Sequence, residues 1–162
     1  MTKRWHLVAL AVCLCGVGSA WAQPEMSDVQ IETMHVAGPV YMLVGSGGNL
    51  GVSAGPDGVL LIDDQFAPLS EKILRAVEGI STNPLRFVLN THWHRDHTGG
   101  NEAFGKRAPI LAHTNVRRRL MTGGVLSLLG DTIEPVESGA LPLLTYEEGV
   151  ALHMNGETID VI

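Results

Sequence analysis

The chain has 162 residues, 45% of them hydrophobic and 17% charged, with a formal net charge of −6. That is enough apolar material for one globular domain and too little charge for a disordered chain. The acidic balance argues against nucleic acid as a partner, because phosphate backbones select Lys and Arg.

Lys3 and Arg4 precede an apolar run over residues 7–17, and Ala20-Trp21-Ala22 supplies the small-x-small pattern that signal peptidase reads. Residues 1–22 are therefore expected to be a signal peptide, and residues 23–162 one domain in the periplasm or secreted. Gly16, Gly18 and Ser19 interrupt the run short of the roughly 20 apolar residues a bilayer span requires, so no membrane attachment is expected after cleavage. Cys13 and Cys15 both fall inside the signal, which leaves the mature domain without a disulfide. Cleavage removes two bases and no acid, taking the formal charge from −6 to −8.

In chain order, Val29, Ile31 and Thr33 alternate with polar residues, and residues 40–44 form a second β-rich run after the Gly38-Pro39 turn. Both read as antiparallel edge strands. Residues 45–48 (Gly-Ser-Gly-Gly) make a glycine-rich turn, read as a flexible hairpin over a cleft. No Lys-Ser/Thr follows it, which excludes a phosphate loop. Strands over 49–54 and 59–62 flank the Gly55-Pro56-Asp57-Gly58 turn, the second ending at Asp63. Leu69, Ile73, Leu74, Val77 and Ile80 then recur at helical spacing, predicting a helix over 68–80 with Pro68 in its first turn.

A buried strand follows over 85–89, then a polar stretch over 90–100, a helix over 101–106, a strand over 109–112 and a helix over 114–121. Arg117, Arg118 and Arg119 on that last helix read as a solvated face, with Leu120 and Met121 on the buried side. Residues 122–141 read as loop. Asn155-Gly156 predicts a hairpin between strands over 150–154 and 158–162. Because the second of these strands is followed by no turn or cap, truncation at the C-terminus is expected.

Chemistry concentrates in His92-Trp93-His94-Arg95-Asp96-His97, three imidazoles and a carboxylate in six positions after a buried strand. With 7 histidines in the chain, a chance H-x-H-x-D-H is on the order of one in a few thousand. Imidazole nitrogen and carboxylate oxygen suit a borderline ion such as Zn²⁺, and the one-residue gap lets His92 and His94 face the same side and share one metal. Asp96 and His97 can turn toward a second ion a few ångström away. Trp93 and Arg95 are open between cleft and supporting core. His35, His113 and His153 fall in no ligand motif and read as a surface residue, a helix-entry residue and a strand residue.

This stretch resembles the H-x-H-x-D-H signature of the metallo-β-lactamase superfamily. Gly58-Val59-Leu60-Leu61-Ile62-Asp63 is similar to the family's strand ending in an aspartate, and Thr98-Gly99-Gly100-Asn101 to its continuation. The resemblance runs from about residue 29 to residue 162. It implies an α+β or α/β fold, the N-terminal half of an αββα sandwich. It also implies two zinc ions in the complete protein, His92 and His94 on the first, Asp96 and His97 on the second, and Asp63 buried behind them. The implied activity is hydrolysis of a small molecule with an acyl bond by hydroxide at zinc, with Asp96 steering the nucleophile. A β-lactam-like amide is the most economical substrate. Thioesters or lactones of the glyoxalase II type are the alternative. The family's remaining ligands belong to a C-terminal half that this chain lacks. A non-catalytic fragment, or a metal-binding protein without turnover, therefore stays open, as does pairing through an exposed sheet face.

Overall fold

The computed structural model describes residues 25–126 and 130–162; the expected signal peptide lies outside the described residues. The first four strands, β1 (Glu32–Ala37), β2 (Val40–Val44), β3 (Asn49–Gly55) and β4 (Gly58–Ile62), form an antiparallel meander. Pairing begins at Glu32 and not at Val29. The segment before it is tied to the first helix, because the Lys72 ammonium donates to the carbonyls of Ser27 (2.5 Å) and Val29 (2.6 Å).

A 3-10 turn (Ala67–Leu69), with Pro68 supplying a preset φ, leads into α1 (Ser70–Ile80). Ile73, Leu74 and Val77 lie buried on one face of α1. The crossover delivers β5 (Leu85–Asn90) parallel to β4. Two short helices follow, α2 (Arg95–Thr98) and α3 (Asn101–Phe104), then β6 (Ile110–His113), parallel to β5, and α4 (Thr114–Thr122).

The described residues between 122 and 141 carry more regular structure than the loop expected there. They hold a small hairpin, β7 (Gly124–Leu126) with β8 (Asp131–Ile133), and a 3-10 turn (Ser138–Ala140). β9 (Leu144–Tyr146), unforeseen from the sequence, pairs parallel with β6. Strands of three residues show no period over which alternation registers. The expected Asn155-Gly156 hairpin is present as β10 (Val150–Met154) and β11 (Glu157–Val161). The large sheet runs β1-β2-β3-β4-β5-β6-β9. Among the described residues no helix is long and apolar enough to cross a membrane.

Alternation along the central strands builds two apolar layers. Val59, Leu61 and Val88 face α1 and pack with Leu43, Leu50, Val52, Ile73, Val77 and Phe104. Leu60, Leu89 and Leu111 point the other way, onto Met154, Leu152 and Ile159 of the β10–β11 hairpin. The hairpin thus lies on this face of the sheet as a second β layer. On the same side of the outer strands, Met34 stands opposite Met42, and Met42 opposite Gly51, which faces Ile62. There Met34 and Val36 remain 50% and 59% exposed.

One side chain locks the hairpin to the sheet. The Asn155 carboxamide accepts from the Asp57 amide (3.1 Å) and donates to Ser53 Oγ (3.0 Å) and the Gly58 carbonyl (3.1 Å). In return the Asp57 carboxylate accepts from the Asn155 amide (2.7 Å). Asn155 sits at φ 56°, a left-handed conformation that asparagine tolerates better than most residues. Asn155→Ala is expected to cost about 2 kcal/mol, the sum of lost hydrogen bonds and backbone strain. Urea denaturation would read this as a lower midpoint.

Candidate metal centre

The parallel pairing of β4 and β5 places their C-terminal ends side by side, where ligands gather in open α/β sheets. Beyond β4 the chain runs through Asp63, Asp64 and Gln65, all polar and all buried, with exposures of 4%, 0% and 0%. Asp63 and Gln65 adopt left-handed φ values of 63° and 53°. Such backbone is held only where its surroundings over-determine it, and it clusters at functional sites.

The surroundings are the turn after β5. The Asp63 amide donates to the Leu89 carbonyl (2.8 Å), extending the ladder by one residue. Asp63 Oδ1 accepts from the Thr91 amide (2.8 Å), and Oδ2 accepts from the Thr91 hydroxyl (2.8 Å) and pairs with His97 Nδ1 (2.7 Å). One buried carboxylate thus ties the end of β4 to both ends of the histidine turn. His97 Nδ1 is occupied by Asp63, so the free Nε2 points to Asp96, 3.3 Å from its Oδ2. Thr91 Oγ1 also bonds His92 Nδ1 (3.1 Å).

The result brings one ligand atom each of His92, Asp96 and His97 within 4.8 Å of one another. The rings of His92 and His97 are 3.9 Å apart. His94 stands beside this group, its ring edge-on to His92 at 4.6 Å, as the extended residue from which α2 starts. His92 thus stands between His94 on one side and Asp96 and His97 on the other, so the four expected ligands form one continuous cluster. Burial, reinforced by the rings of His97 and His94, pushes the His92 imidazole below its ordinary value. That favours the neutral form, which is the form that binds metals.

Asp64 supports the turn from beneath. Its amide donates to the His97 carbonyl (3.0 Å), and its Oδ1 accepts from the Gly100 amide (2.8 Å). Burial raises its carboxyl well above the ordinary range, against the lowering effect of the Gly100 amide. Gly100 has to be glycine, since a Cβ there would lie 2.7 Å from the Asp64 carbonyl oxygen. Asn90 donates to the His97 carbonyl (3.3 Å) from the other side. Asp64, Gln65, Asn90 and Thr91 were not picked out from the sequence. The signal was there in three consecutive polar residues directly after a fully apolar strand.

Trp93 and Arg95 prove to be braces. Arg119 lies over the Trp93 ring at 5.4 Å, and Trp93 packs with Ala112, Val116 and Leu120. Arg95 donates to the Thr132 carbonyl (2.8 Å), fastening the β7–β8 hairpin to the histidine turn. The arginines of α4 are only partly a solvated face: Arg117 donates to the Pro142 carbonyl (2.6 Å), and Met121, expected on the buried side, is 52% exposed. One residue step along a helix places Met121 about 100° round from Leu120, which takes the buried position. His113 caps α4 by accepting from the Asn115 amide (3.0 Å), and His153 bonds Thr158 Oγ1 (3.1 Å). His35 bonds the Gly38 carbonyl (3.0 Å) on the surface.

The described residues thus form a large mixed sheet carrying helices on one face, with a histidine and aspartate cluster at the C-terminal ends of its parallel strands that could hold a metal ion. Residues 41–135 match the family model of the metallo-β-lactamase superfamily, and the chain belongs to that superfamily. Solved structures similar to it include a metallo-β-lactamase from Cronobacter sakazakii with an HARLDQ motif (22% identity, TM-score 0.64, 80% of this chain and 51% of that one). Others are the metallo-β-lactamase MIM-1 from Novosphingobium pentaromativorans (22%, TM-score 0.65, 79% and 49%) and a metallo-β-lactamase from Pontibacter korlensis (19%, TM-score 0.58, 82% and 60%). At these identities the likeness is one of fold. The chain spans about half the length of the structures it matches.

Asp63→Ala strands the Thr91 amide and hydroxyl and removes the anchor of His97. The expected loss is about 3 kcal/mol of stability, measured by thermal or urea unfolding of the metal-free protein. A loss below about 1 kcal/mol would mean that solvent takes over these partners.

Proposed function

We propose that this chain is the metal-binding part of an exported zinc-dependent hydrolase that cleaves an acyl bond in a small molecule. The observation that carries the proposal is the convergence of His92, Asp96 and His97 at the ends of two parallel strands, with Asp63 bonded behind His97. Carboxylate–histidine pairs of this kind orient the ring and raise its basicity toward a metal.

The donor set fits zinc: imidazole nitrogens and a carboxylate oxygen, partly open to solvent, with the nitrogens not used for support left free. His92 and His94 are assigned to one ion and Asp96 and His97 to a second, with Asp63 as their buried support. When bound, zinc supplies a nucleophile at neutral pH by lowering the pKa of water to about 7. Asp63 fixes the tautomer of His97 so that Nε2 faces the cleft. Asp96, beside that nitrogen and partly exposed, would hold the ion with His97 and steer the nucleophile that zinc supplies.

The β-lactam amide is the most economical substrate, in keeping with the metallo-β-lactamases among the similar structures and with an enzyme exported to where such compounds are met. Thioester or lactone hydrolysis of the glyoxalase II type uses the same chemistry and is the runner-up. Coverage of about half of the similar structures supports a further reading, in which additional ligands come from elsewhere and the face bearing Met34 and Val36 is paired. Without them this chain alone would be an inactive fragment.

Elemental analysis of the mature chain, with nitrocefin and thioester hydrolysis on the same sample, tests the proposal. About two zinc ions and turnover are expected of a complete site. The double variant His92→Ala, His94→Ala should lose at least one ion; unchanged zinc there would sink the assignment. Asp63→Asn should weaken zinc binding about 10- to 100-fold while leaving the ligands in place, as read by competition with a chelator.

A further inference from the structure

The glycine-rich turn between β2 and β3 lies against the metal centre, and it is not the free flap its composition suggests. Both ends of one buried side chain hold it. The Ser46 amide donates to Gln65 Oε1 (3.2 Å), and Gln65 Nε2 donates to the Gly48 carbonyl. Gln65 itself is wholly buried, in a left-handed conformation three residues past the last residue of β4. A buried carboxamide has no water to fall back on, so these bonds are held or leave unpaired groups behind.

The turn is fitted closely to the ligands it covers. At Gly47 (φ 87°) a Cβ would lie 2.7 Å from the Asp96 Cβ and 3.0 Å from the Phe66 ring, so no side chain can stand between the turn and Asp96. At Gly48 a Cβ would sit 3.5 Å from His97 Cε1, in van der Waals contact with the ring. At Gly45 it would run into the Gln65 carboxamide itself. Glycines that loosen a free chain are used here to bring backbone up to Asp96 and His97, and Gln65 removes the freedom they would otherwise confer.

We infer that Gln65 is a positioning residue: its carboxamide holds residues 45–48 as a fixed wall of the metal cleft, and that wall limits the bulk of substrate that can reach Asp96 and His97. The inference rests on the hydrolase reading for its substrate part and on geometry alone for the pinned turn. A fixed wall discriminates by exclusion, whereas a mobile one would adapt to each substrate.

Gln65→Met keeps the length and volume of the side chain and removes both hydrogen bonds; Gln65→Glu keeps the acceptor for Ser46 and loses the donor to Gly48. On the full chain, metal-free, exchange of the Ser46 amide followed by NMR should quicken about tenfold or more in Gln65→Met, with β4 and α1 amides unchanged. Gln65→Glu should fall between, and serves if Gln65→Met does not fold. On the zinc-loaded protein, the KM for a bulky β-lactam relative to a small one should fall about tenfold in Gln65→Met, with kcat within about twofold. Unchanged Ser46 exchange in both variants would overturn the pinned turn, and faster exchange with an unmoved KM ratio would overturn its role in selectivity. If the wild-type chain takes up no zinc, the hydrolase reading fails, while the exchange measurement still decides whether Gln65 pins the turn.

Discussion

The geometry of the histidine turn depends on the carboxylate of Asp63. It is fixed by its place at the end of a fully apolar strand, and it faces a turn whose amide, hydroxyl and imidazole all seek an acceptor. Desolvating a carboxylate is costly, and three hydrogen bonds offset that cost. Position follows from this: with β4 and β5 paired in parallel, Asp63 meets Thr91 and His97. Those two residues then set the directions of His92 and Asp96.

A second tier of buried groups works on backbone and not on ligands. Asp64 holds the floor of the turn through Gly100 and the His97 carbonyl, and Asn90 reaches that carbonyl too. Arg95 and Trp93 extend the bracing outward to β7–β8 and α4. The sequence H-W-H-R-D-H therefore divides two jobs, with Trp93 and Arg95 fastening the turn to its neighbours and the histidines and Asp96 clustered together.

The architecture was legible wherever one period ran for five residues or more. The apolar run ending at Asp63, the helix carrying Ile73, Leu74 and Val77, and the hairpin at Asn155-Gly156 all appear where pattern and turn chemistry put them. β7, β8 and β9 were not legible, being three residues each and set by pairing with distant partners. At the site, residue types announced the chemistry, but spacing could not show how close the rings would stand. The Thr91 hydroxyl bridges Asp63 and His92, a contact across 28 residues on one side and one on the other. Gln65 was equally hidden, because its partners are backbone groups 17 and 19 residues back, which no side chain advertises.

The lock between Asp57 and Asn155 joins residues 98 apart, at the end of β4 opposite the histidine turn. Loop-closure entropy rises with separation, so contacts within the meander and across the β4–α1–β5 crossover close far shorter loops at less cost in chain entropy. The bonds of Asp63 to Thr91, 28 residues away, belong to those shorter loops. The two attachments sit at opposite ends of one strand and share no partner, so releasing the β10–β11 hairpin leaves every bond that orients the histidine turn in place.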